Sequence, residues 1–214
     1  MKRYLAVAAV AAMLLTASVA QGTIILAKWT FETSKPTTAG PHAAEEGIFG
    51  GDATGYHTLS GAAYSNPAGN GSAESFSSNY WNTGDYYQFE TSTLGYTDVQ
   101  FTFDQTRSST GPATFDLLVS TDGTNWTTLA TDYAVGTASW SSNPAYYKPE
   151  SVLGPFADAS LDNQTKIYIR MVSKVTPTNT GGTNRIDNVT VTPEPVTITL
   201  LGLGSLLFLR RRHA

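Results

Sequence analysis

The chain has 214 residues, no cysteine and a formal net charge of −4. The lack of cysteine excludes disulfide bonds. Residues 21–192, the body of the chain, contain sixteen acidic but only eight basic side chains, and this charge of −8 argues against nucleic acid as a partner, because nucleic-acid binding depends on Lys and Arg.

The first predicted element is a secretory signal peptide over the first twenty residues. It begins with Lys2 and Arg3, continues with an apolar run over residues 5–15, and ends at Ala20 with small residues at the −3 and −1 positions. This three-part pattern is typical of a secretory signal. It predicts export through the Sec machinery and cleavage after Ala20.

The body, residues 21–192, is predicted to be one all-β domain. Three of its segments show the period-two alternation of apolar and polar side chains that marks a half-buried strand: residues 99–104, 115–119 and 167–172. Further strands are expected over five segments with β-forming residues between turn signals: 24–31, 86–91, 126–130, 152–156 and 185–191.

Eight or more short antiparallel strands favour a two-sheet β-sandwich, with a jelly roll as the first prediction and an immunoglobulin-like sandwich as the alternative. Residues 33–79 are rich in Gly, Ala and Ser, so we expect long loops and one or two weak strands there. Between two later strands, Asp122-Gly123 predicts a hairpin turn, because glycine adopts positive φ. Trp126, just after this turn, is expected to pack on the sheet.

Asp187 is the body residue with the strongest case for a metal. Strand alternation places it on the same face as Val189 and Val191, and a carboxylate drawn into a core needs a cation or several hydrogen-bond donors. Its segment resembles the closing strand of exported jelly-roll domains. Similarity to the carbohydrate-binding members, several of which hold a structural Ca²⁺, implies a Ca²⁺ that joins Asp187 and Glu32. The alternative is a hydrogen-bonded or salt-bridged Asp187, and no other cofactor is expected.

Aromatic side chains near predicted loops and strand starts are candidates for sugar binding. Exposed rings could stack on the apolar faces of sugars, whereas the alternative is that they fill the core. The candidates are Trp81, Tyr86, Tyr87, Trp140, Tyr146 and Tyr147.

Nothing in the body predicts catalysis. Its two histidines, His42 and His57, lie in the irregular region, and no nucleophile elbow, zinc-binding helix or phosphate loop occurs. We therefore expect a non-enzymatic protein that binds polysaccharide or has a structural role. The alternative is a small exported hydrolase of extracellular glycans, which would need only two well-placed carboxyl groups.

The C-terminal residues 193–214 form a separate element with three parts. Pro193-Glu194-Pro195 is extended because each proline fixes φ, residues 196–209 are an apolar transmembrane helix candidate, and residues 210–213 are a basic tail expected to stay cytoplasmic. Fourteen helical residues reach only about 21 Å, against a hydrocarbon core of about 30 Å. The segment is thus predicted to be a marginal, transient anchor in the inner membrane.

These three parts, in this order, resemble the PEP-CTERM sorting signal of exported bacterial proteins. The resemblance implies that an exosortase recognises and processes the chain. The recognition residues would be Pro193, Glu194 and Pro195, followed by the basic residues Arg210, Arg211 and Arg212. It also implies a final location at the cell surface or in the extracellular matrix, where exopolysaccharide is a potential partner.

Overall fold

The computed structural model describes residues 23–194, which form twelve β-strands and three short 3-10 helices. The strands are β1 (Ala27–Trp29), β2 (His42–Ala43), β3 (Asp52–Tyr56), β4 (Tyr64–Ser65), β5 (Phe76–Ser78), β6 (Tyr86–Thr91), β7 (Val99–Arg107), β8 (Thr114–Ser120), β9 (Thr127–Ala134), β10 (Val152–Ala157), β11 (Ile167–Ser173) and β12 (Asn184–Pro193). The 3-10 helices are Pro144–Tyr146, Pro149–Ser151 and Ala159–Leu161. The predicted signal helix and transmembrane helix lie outside the described residues, and within them no helix is long and apolar enough to cross a membrane.

The strands make two antiparallel sheets. In the first sheet the order is β10-β7-β12-β5-β4, with β1 also paired to β12, and in the second it is β2-β3-β6-β11-β8-β9. The predicted all-β fold with two antiparallel sheets is confirmed. All eight predicted strands are present, with ends that differ by a few residues.

The core lies between the two sheets and is rich in aromatic rings. In β6, Tyr87 and Phe89 are buried while their neighbours along the strand are partly exposed, as alternation predicts. Phe89 contacts Trp29 of the first sheet at 5.2 Å between ring centroids, and Tyr87 contacts Phe76 at 4.9 Å. Each such pair adds about 0.5 to 1.5 kcal/mol beyond the burial of its apolar area.

Residues 33–79 hold four strands, β2 to β5, rather than the one or two that were expected. Two of these strands have only two residues, too few to show any alternation. The third residue of β5, Ser78, is buried, and its hydroxyl hydrogen-bonds the Tyr87 hydroxyl at 2.9 Å, which offsets the cost of burying a polar group. A buried serine gives no hydrophobic signal, so pattern reading misses such a strand.

Two segments cover the outer face of the first sheet, the side turned away from the core. They are residues 66–72 and 135–151. Thr106 of β7 donates to the carbonyl of Ala138 at 2.8 Å, which ties the second segment to the sheet. The Asn70 side chain accepts from the backbone N–H of Lys148 at 2.7 Å and donates to its carbonyl at 3.0 Å, which ties the two segments together.

Candidate functional site

A row of aromatic rings crosses the outer face of the second sheet. Tyr56 on β3 stands opposite Tyr86 on β6, with ring centroids 5.0 Å apart and planes only 16° from parallel. The guanidinium of Arg170 on β11 lies 4.1 Å from the Tyr86 ring centroid and 3.9 Å from that of Trp126. Trp126 in turn meets Tyr168 edge to face at 6.3 Å. We call these five residues the aromatic row.

Local hydrogen bonds fix the Trp126 end of this row. The predicted hairpin between β8 and β9 is confirmed, with Gly123 at φ 73°. In its turn, Asp122 accepts from the Asn125 side chain at 2.7 Å and from the backbone N–H groups of Thr124 and Asn125. These bonds lower the pKa of Asp122 well below its usual value. The turn thereby holds Trp126 against Arg170.

Polar groups flank the rings. Arg170 Nε donates to the side-chain oxygen of Gln88, its neighbour on β6, at 2.7 Å. Lys166 pairs with Glu90 at 2.9 Å and lies 5.6 Å from the Tyr168 ring centroid. The row reaches across three strand spacings, about 14 Å. It combines flat apolar surfaces with hydrogen-bonding groups, the arrangement that suits the apolar faces and hydroxyl edges of sugars.

The aromatic candidates from the sequence fall into three groups. Trp81, Tyr87 and Trp140 are buried and serve packing. Tyr86 belongs to the aromatic row. Tyr146 and Tyr147 are exposed, but on the segment that covers the first sheet. Tyr56, Tyr168 and Arg170 were not singled out from the sequence, because only the pairing register of β3, β6 and β11 brings them to one line.

The face predicted for Asp187 is wrong. Asp187 stands opposite Asp104 of β7, whereas Thr190 stands opposite Thr102, so β12 has one extra residue in between. This β-bulge includes Asn188 at φ 51°. A bulge of one residue reverses strand alternation. Asp187 therefore lies on the outer face of the first sheet, opposite to the valines that follow it.

Asp187 is nevertheless fully buried, because residues 66–72 close over it. Its carboxylate accepts from the backbone N–H of Asn70 at 2.9 Å, the hydroxyl of Ser72 at 2.8 Å and the N–H of Asn188 at 2.7 Å. Burial raises the pKa of Asp187 to about 7, although these hydrogen bonds oppose the rise. Repulsion from Asp104 adds to it.

Asp104 completes what we call the acidic pair. It is also buried, and one of its oxygens accepts from the side-chain amides of Asn70 at 3.0 Å and Asn188 at 2.9 Å. Burial raises its pKa as well. None of the ion pairs among residues 23–194 includes Asp104 or Asp187. Two neighbouring buried carboxylates without a cation are an unfavourable arrangement unless protons or a metal ion neutralise them.

Glu32, the other predicted Ca²⁺ ligand, lies in a different hydrogen-bond network. Its carboxylate accepts from the backbone N–H of Glu74 at 2.9 Å. Burial would raise the pKa of nearby Glu45, but hydrogen bonds from Thr30, Ser34 and Thr33 lower it to about 2 and hold the turn at Glu32. No group of three or more His, Asp or Glu in the described part of the chain is arranged to hold a metal.

His57 and Asp85 form a buried pair that resembles part of a catalytic triad. His57 Nδ1 lies 3.0 Å from Asp85 Oδ2, and burial lowers the His57 pKa although Asp85 opposes the fall. The ring packs against Trp81 and Tyr64, and its Nε2 has no hydrogen-bond partner among the described residues. The His57 side chain is only 2% exposed, which leaves little surface for contact with a polymer substrate, and the pair joins two loops.

The structure includes the first two residues of the predicted sorting motif. Pro193 is the last residue of β12, opposite Val99. The N–H of Glu194 donates to the carbonyl of Asp98 at 2.8 Å, and its side chain is exposed. The other predicted sorting and cleavage residues lie outside the described residues: Ala20, Pro195, Arg210, Arg211 and Arg212.

No protein-family model and no curated protein sequence matches this chain. Among solved structures, the CBM22-1 and GH10 modules of endo-1,4-β-D-xylanase 10B from Clostridium thermocellum, complexed with xylohexaose, align with a TM-score of 0.52. The identity is 17%, over 82% of this chain but 29% of the xylanase chain. This chain thus spans less than a third of that protein's length.

Two carbohydrate-binding domains align less well. TmCBM61 in complex with β-1,4-galactotriose gives a TM-score of 0.44 and 14% identity, over 77% of this chain and 94% of that one. The N-terminal cellulose-binding domain of Cellulomonas fimi β-1,4-glucanase C gives 0.41 and 14%, over 67% and 89%. These two scores are too low to carry an argument, and at 17% identity the likeness to the xylanase structure shows a shared β-sandwich fold alone.

Proposed function

We propose that this protein is a non-enzymatic, exported polysaccharide-binding protein, and that the aromatic row is its binding surface. The observation that carries the proposal is the placement of Tyr56, Tyr86 and Trp126 in one line on a sheet face, with a guanidinium between two of the rings. These side chains pack against each other and not in the core. An ordered row of partly exposed rings offers stacking surface at little entropic cost.

We further infer a jelly-roll arrangement of the strands. From β5 to β8, and again from β9 to β12, successive strands alternate between the two sheets. Such repeated crossing is typical of jelly rolls. The xylanase structure that contains a carbohydrate-binding module supports the fold, and the sugar-binding role is our proposal for this chain.

The hydrolase alternative would need two carboxyl groups that a glycan can reach. The acidic pair has one property of such a site, since the pKa of Asp187 is raised to about 7, as a general acid requires. Both carboxyl groups are buried beneath the covering segments, however. The acidic pair therefore favours a structural role.

Replacing Tyr56 by alanine tests the aromatic row. We expect Tyr56→Ala to weaken binding of a neutral polysaccharide about tenfold, because stacked interface aromatics contribute more than 1 kcal/mol each. Affinity electrophoresis of the full chain in xylan, galactan and cellulose derivatives would measure it, with release of reducing sugar followed in parallel. Tyr146→Ala, which removes an exposed tyrosine from the segment that covers the first sheet, is the matched control. Equal retardation of both variants, or sugar release by the wild type, would refute the proposal.

We also propose that the chain is sorted by an exosortase, with a transient stay in the inner membrane and final delivery to the cell surface or matrix. The order of the three C-terminal parts supports this. So does the exposed side chain of Glu194, which leaves it accessible to a processing enzyme.

Glu194→Ala is expected to block processing, so that a slightly larger, membrane-held species accumulates. The fold should be retained, because Glu194 contacts the sheet through its backbone N–H. Immunoblotting of membrane and released fractions from cells that express the full chain would show the change in size. Glu150→Ala removes another exposed glutamate and should be processed normally. Normal processing of Glu194→Ala would argue against the sorting proposal.

We propose in addition that a structural Ca²⁺ occupies the acidic pair. Asp187, a predicted ligand, and Asp104 would supply carboxylate oxygens, which Ca²⁺ prefers. A divalent cation would neutralise both buried charges. No contact in the described structure supports Glu32 as the second ligand.

A further inference from the structure

A cavity of about 450 Å³ lies on the outer face of the first sheet, on the opposite side of the sandwich from the aromatic row. Its floor is formed by β7 and β12, where Thr106 and Arg185 stand side by side. Residues 137–140 of the covering segment form its roof. The volume falls in the range of small-ligand sites, about 300 to 1,000 Å³.

The charge of the cavity is opposite to that of the body. Arg107 and Arg185 both line it, and no acidic residue does. Arg107 is committed to the fold, because its guanidinium donates to the carbonyls of Val135, Ser108 and Ser109. A body with a charge of −8 thus keeps a purely cationic cavity.

Arg185 is the unexplained group. Its side chain is half-buried, yet it makes no ion pair and no side-chain hydrogen bond with any described residue, unlike Lys28, Lys166 or Lys174. Burial lowers the pKa of Arg185, which reflects the cost of removing its charge from water. A guanidinium held in a cavity without an acceptor is a site for an anion, since its planar fork matches a carboxylate.

The other residues that line the cavity indicate which kind of molecule would carry the anionic group. Ser109, Thr137 and Ser139 line the cavity, and none of their hydroxyl groups makes a side-chain hydrogen bond within residues 23–194. Trp140 adds an apolar wall and is held by its indole N–H, which donates to Ser151 at 3.0 Å. Hydroxyls beside one aromatic wall match a sugar ring better than a peptide, which would need more apolar surface.

We propose that this cavity binds a carboxylate-bearing sugar unit, a uronic acid residue of an acidic polysaccharide, with its carboxylate on Arg185. The inference rests on the proposed polysaccharide binding but uses a separate site. The aromatic row would hold a neutral stretch of glycan, and the cavity would select chains that carry uronate.

The test uses the full chain, titrated calorimetrically with trigalacturonate, neutral β-1,4-galactotriose, a sulfated glucose trisaccharide and tetraglutamate. Arg185→Gln should weaken trigalacturonate binding about tenfold or more, the effect of losing a charged hydrogen bond. Arg185→Lys should bind trigalacturonate with an affinity between those of the wild type and Arg185→Gln, because lysine keeps the positive charge but lacks the planar guanidinium. Both should bind galactotriose like the wild type. Tyr56→Ala should do the reverse, binding galactotriose about tenfold more weakly and trigalacturonate like the wild type.

Thr137→Trp is a second variant that fills the cavity mouth from an exposed position and leaves Arg185 in place. It should also abolish trigalacturonate binding, so the test does not depend on how Arg185→Gln folds. The proposal is overturned if the wild type does not bind trigalacturonate, or binds the sulfated sugar or the peptide equally well. It is also overturned if uronate binding is lost in Tyr56→Ala but kept in Arg185→Gln. In each case galactotriose binding separately decides the role of the aromatic row.

Discussion

In EDTA, Asp187→Ala is expected to lower the free energy of unfolding by about 3 kcal/mol at pH 5 and by clearly less at pH 8. The loss at pH 5 arises because Asn70, Ser72 and Asn188 would each keep a buried donor without its acceptor. At pH 8 the same substitution also removes a buried negative charge next to Asp104. That relief offsets part of the loss.

The larger loss of stability at pH 5 than at pH 8 follows from the raised pKa of Asp187. A carboxyl group with a pKa of about 7 in the folded state and about 4 when unfolded binds its proton more tightly in the fold. Its stabilising contribution is complete below pH 4 and is lost as the pH rises through 7. The difference of about three units between the two pKa values corresponds to a contribution of at most about 4 kcal/mol to the free energy of unfolding. His57 is present in both the wild type and Asp187→Ala, so the difference between them reports on the acidic pair as a unit.

Calcium should reverse this trend in the wild type. Ca²⁺ competes with protons for the acidic pair, so it should stabilise the fold strongly at pH 8 and weakly at pH 5. At a hundred times its dissociation constant, a ligand adds about 2.7 kcal/mol. Tyr147, whose pKa is raised by burial and by both carboxylates, faces the same site and would report the ion through its absorbance.

Thermal and urea unfolding of the full chain, in CaCl₂ and in EDTA across pH 4 to 9, would measure both effects. Asp132→Asn is the control, because Asp132 is exposed and its backbone at φ 52° tolerates asparagine. A wild type with the same stability in CaCl₂ and EDTA at pH 8 would contradict the Ca²⁺ proposal alone. In EDTA, an Asp187→Ala penalty that grows from pH 5 to pH 8 would contradict the account of the acidic pair itself.

Local pattern was sufficient for the eight strands predicted by range, but not for the short strands within residues 33–79 or for the sites. Alternation in residues 99–104 or 167–172 reports which side chains face the core, because a strand repeats every two residues. One bulge at Asn188 was enough to turn Asp187 to the opposite face, and its only local sign is an asparagine, which tolerates positive φ.

The aromatic row shows a second limit of sequence reading. Tyr56 and Trp126 are seventy residues apart, and neither was among the aromatic candidates for sugar binding from the sequence. They reach one line because β3, β6, β11 and the β8–β9 hairpin are neighbours in the second sheet. Trp81 and Tyr87 have similar surroundings in sequence, yet they are buried. Strand order and register decide that Tyr56 and Trp126 lie in the aromatic row while Trp81 and Tyr87 are buried. Both depend on the packing of the whole chain.

Arg170→Ala is expected to weaken neutral polysaccharide binding by about ten- to a hundredfold, the largest effect of any single change in the aromatic row. Arg170 stacks on Tyr86 and Trp126 and is bonded to Gln88, so its loss would free both rings to rotate. Stability should fall by only about 1 kcal/mol, because the stacked guanidinium is partly exposed.

Arg170→Lys distinguishes stacking from charge. Lysine keeps the positive charge but lacks the planar group that fills the space between the rings, so binding should be nearly as weak as in Arg170→Ala. Lys28→Ala, which removes a cation from the first sheet, should bind normally. Affinity electrophoresis, with unfolding curves to confirm the fold, would measure all three. If Arg170→Lys binds like the wild type, the row acts through charge, and the stacking model of the binding surface is wrong.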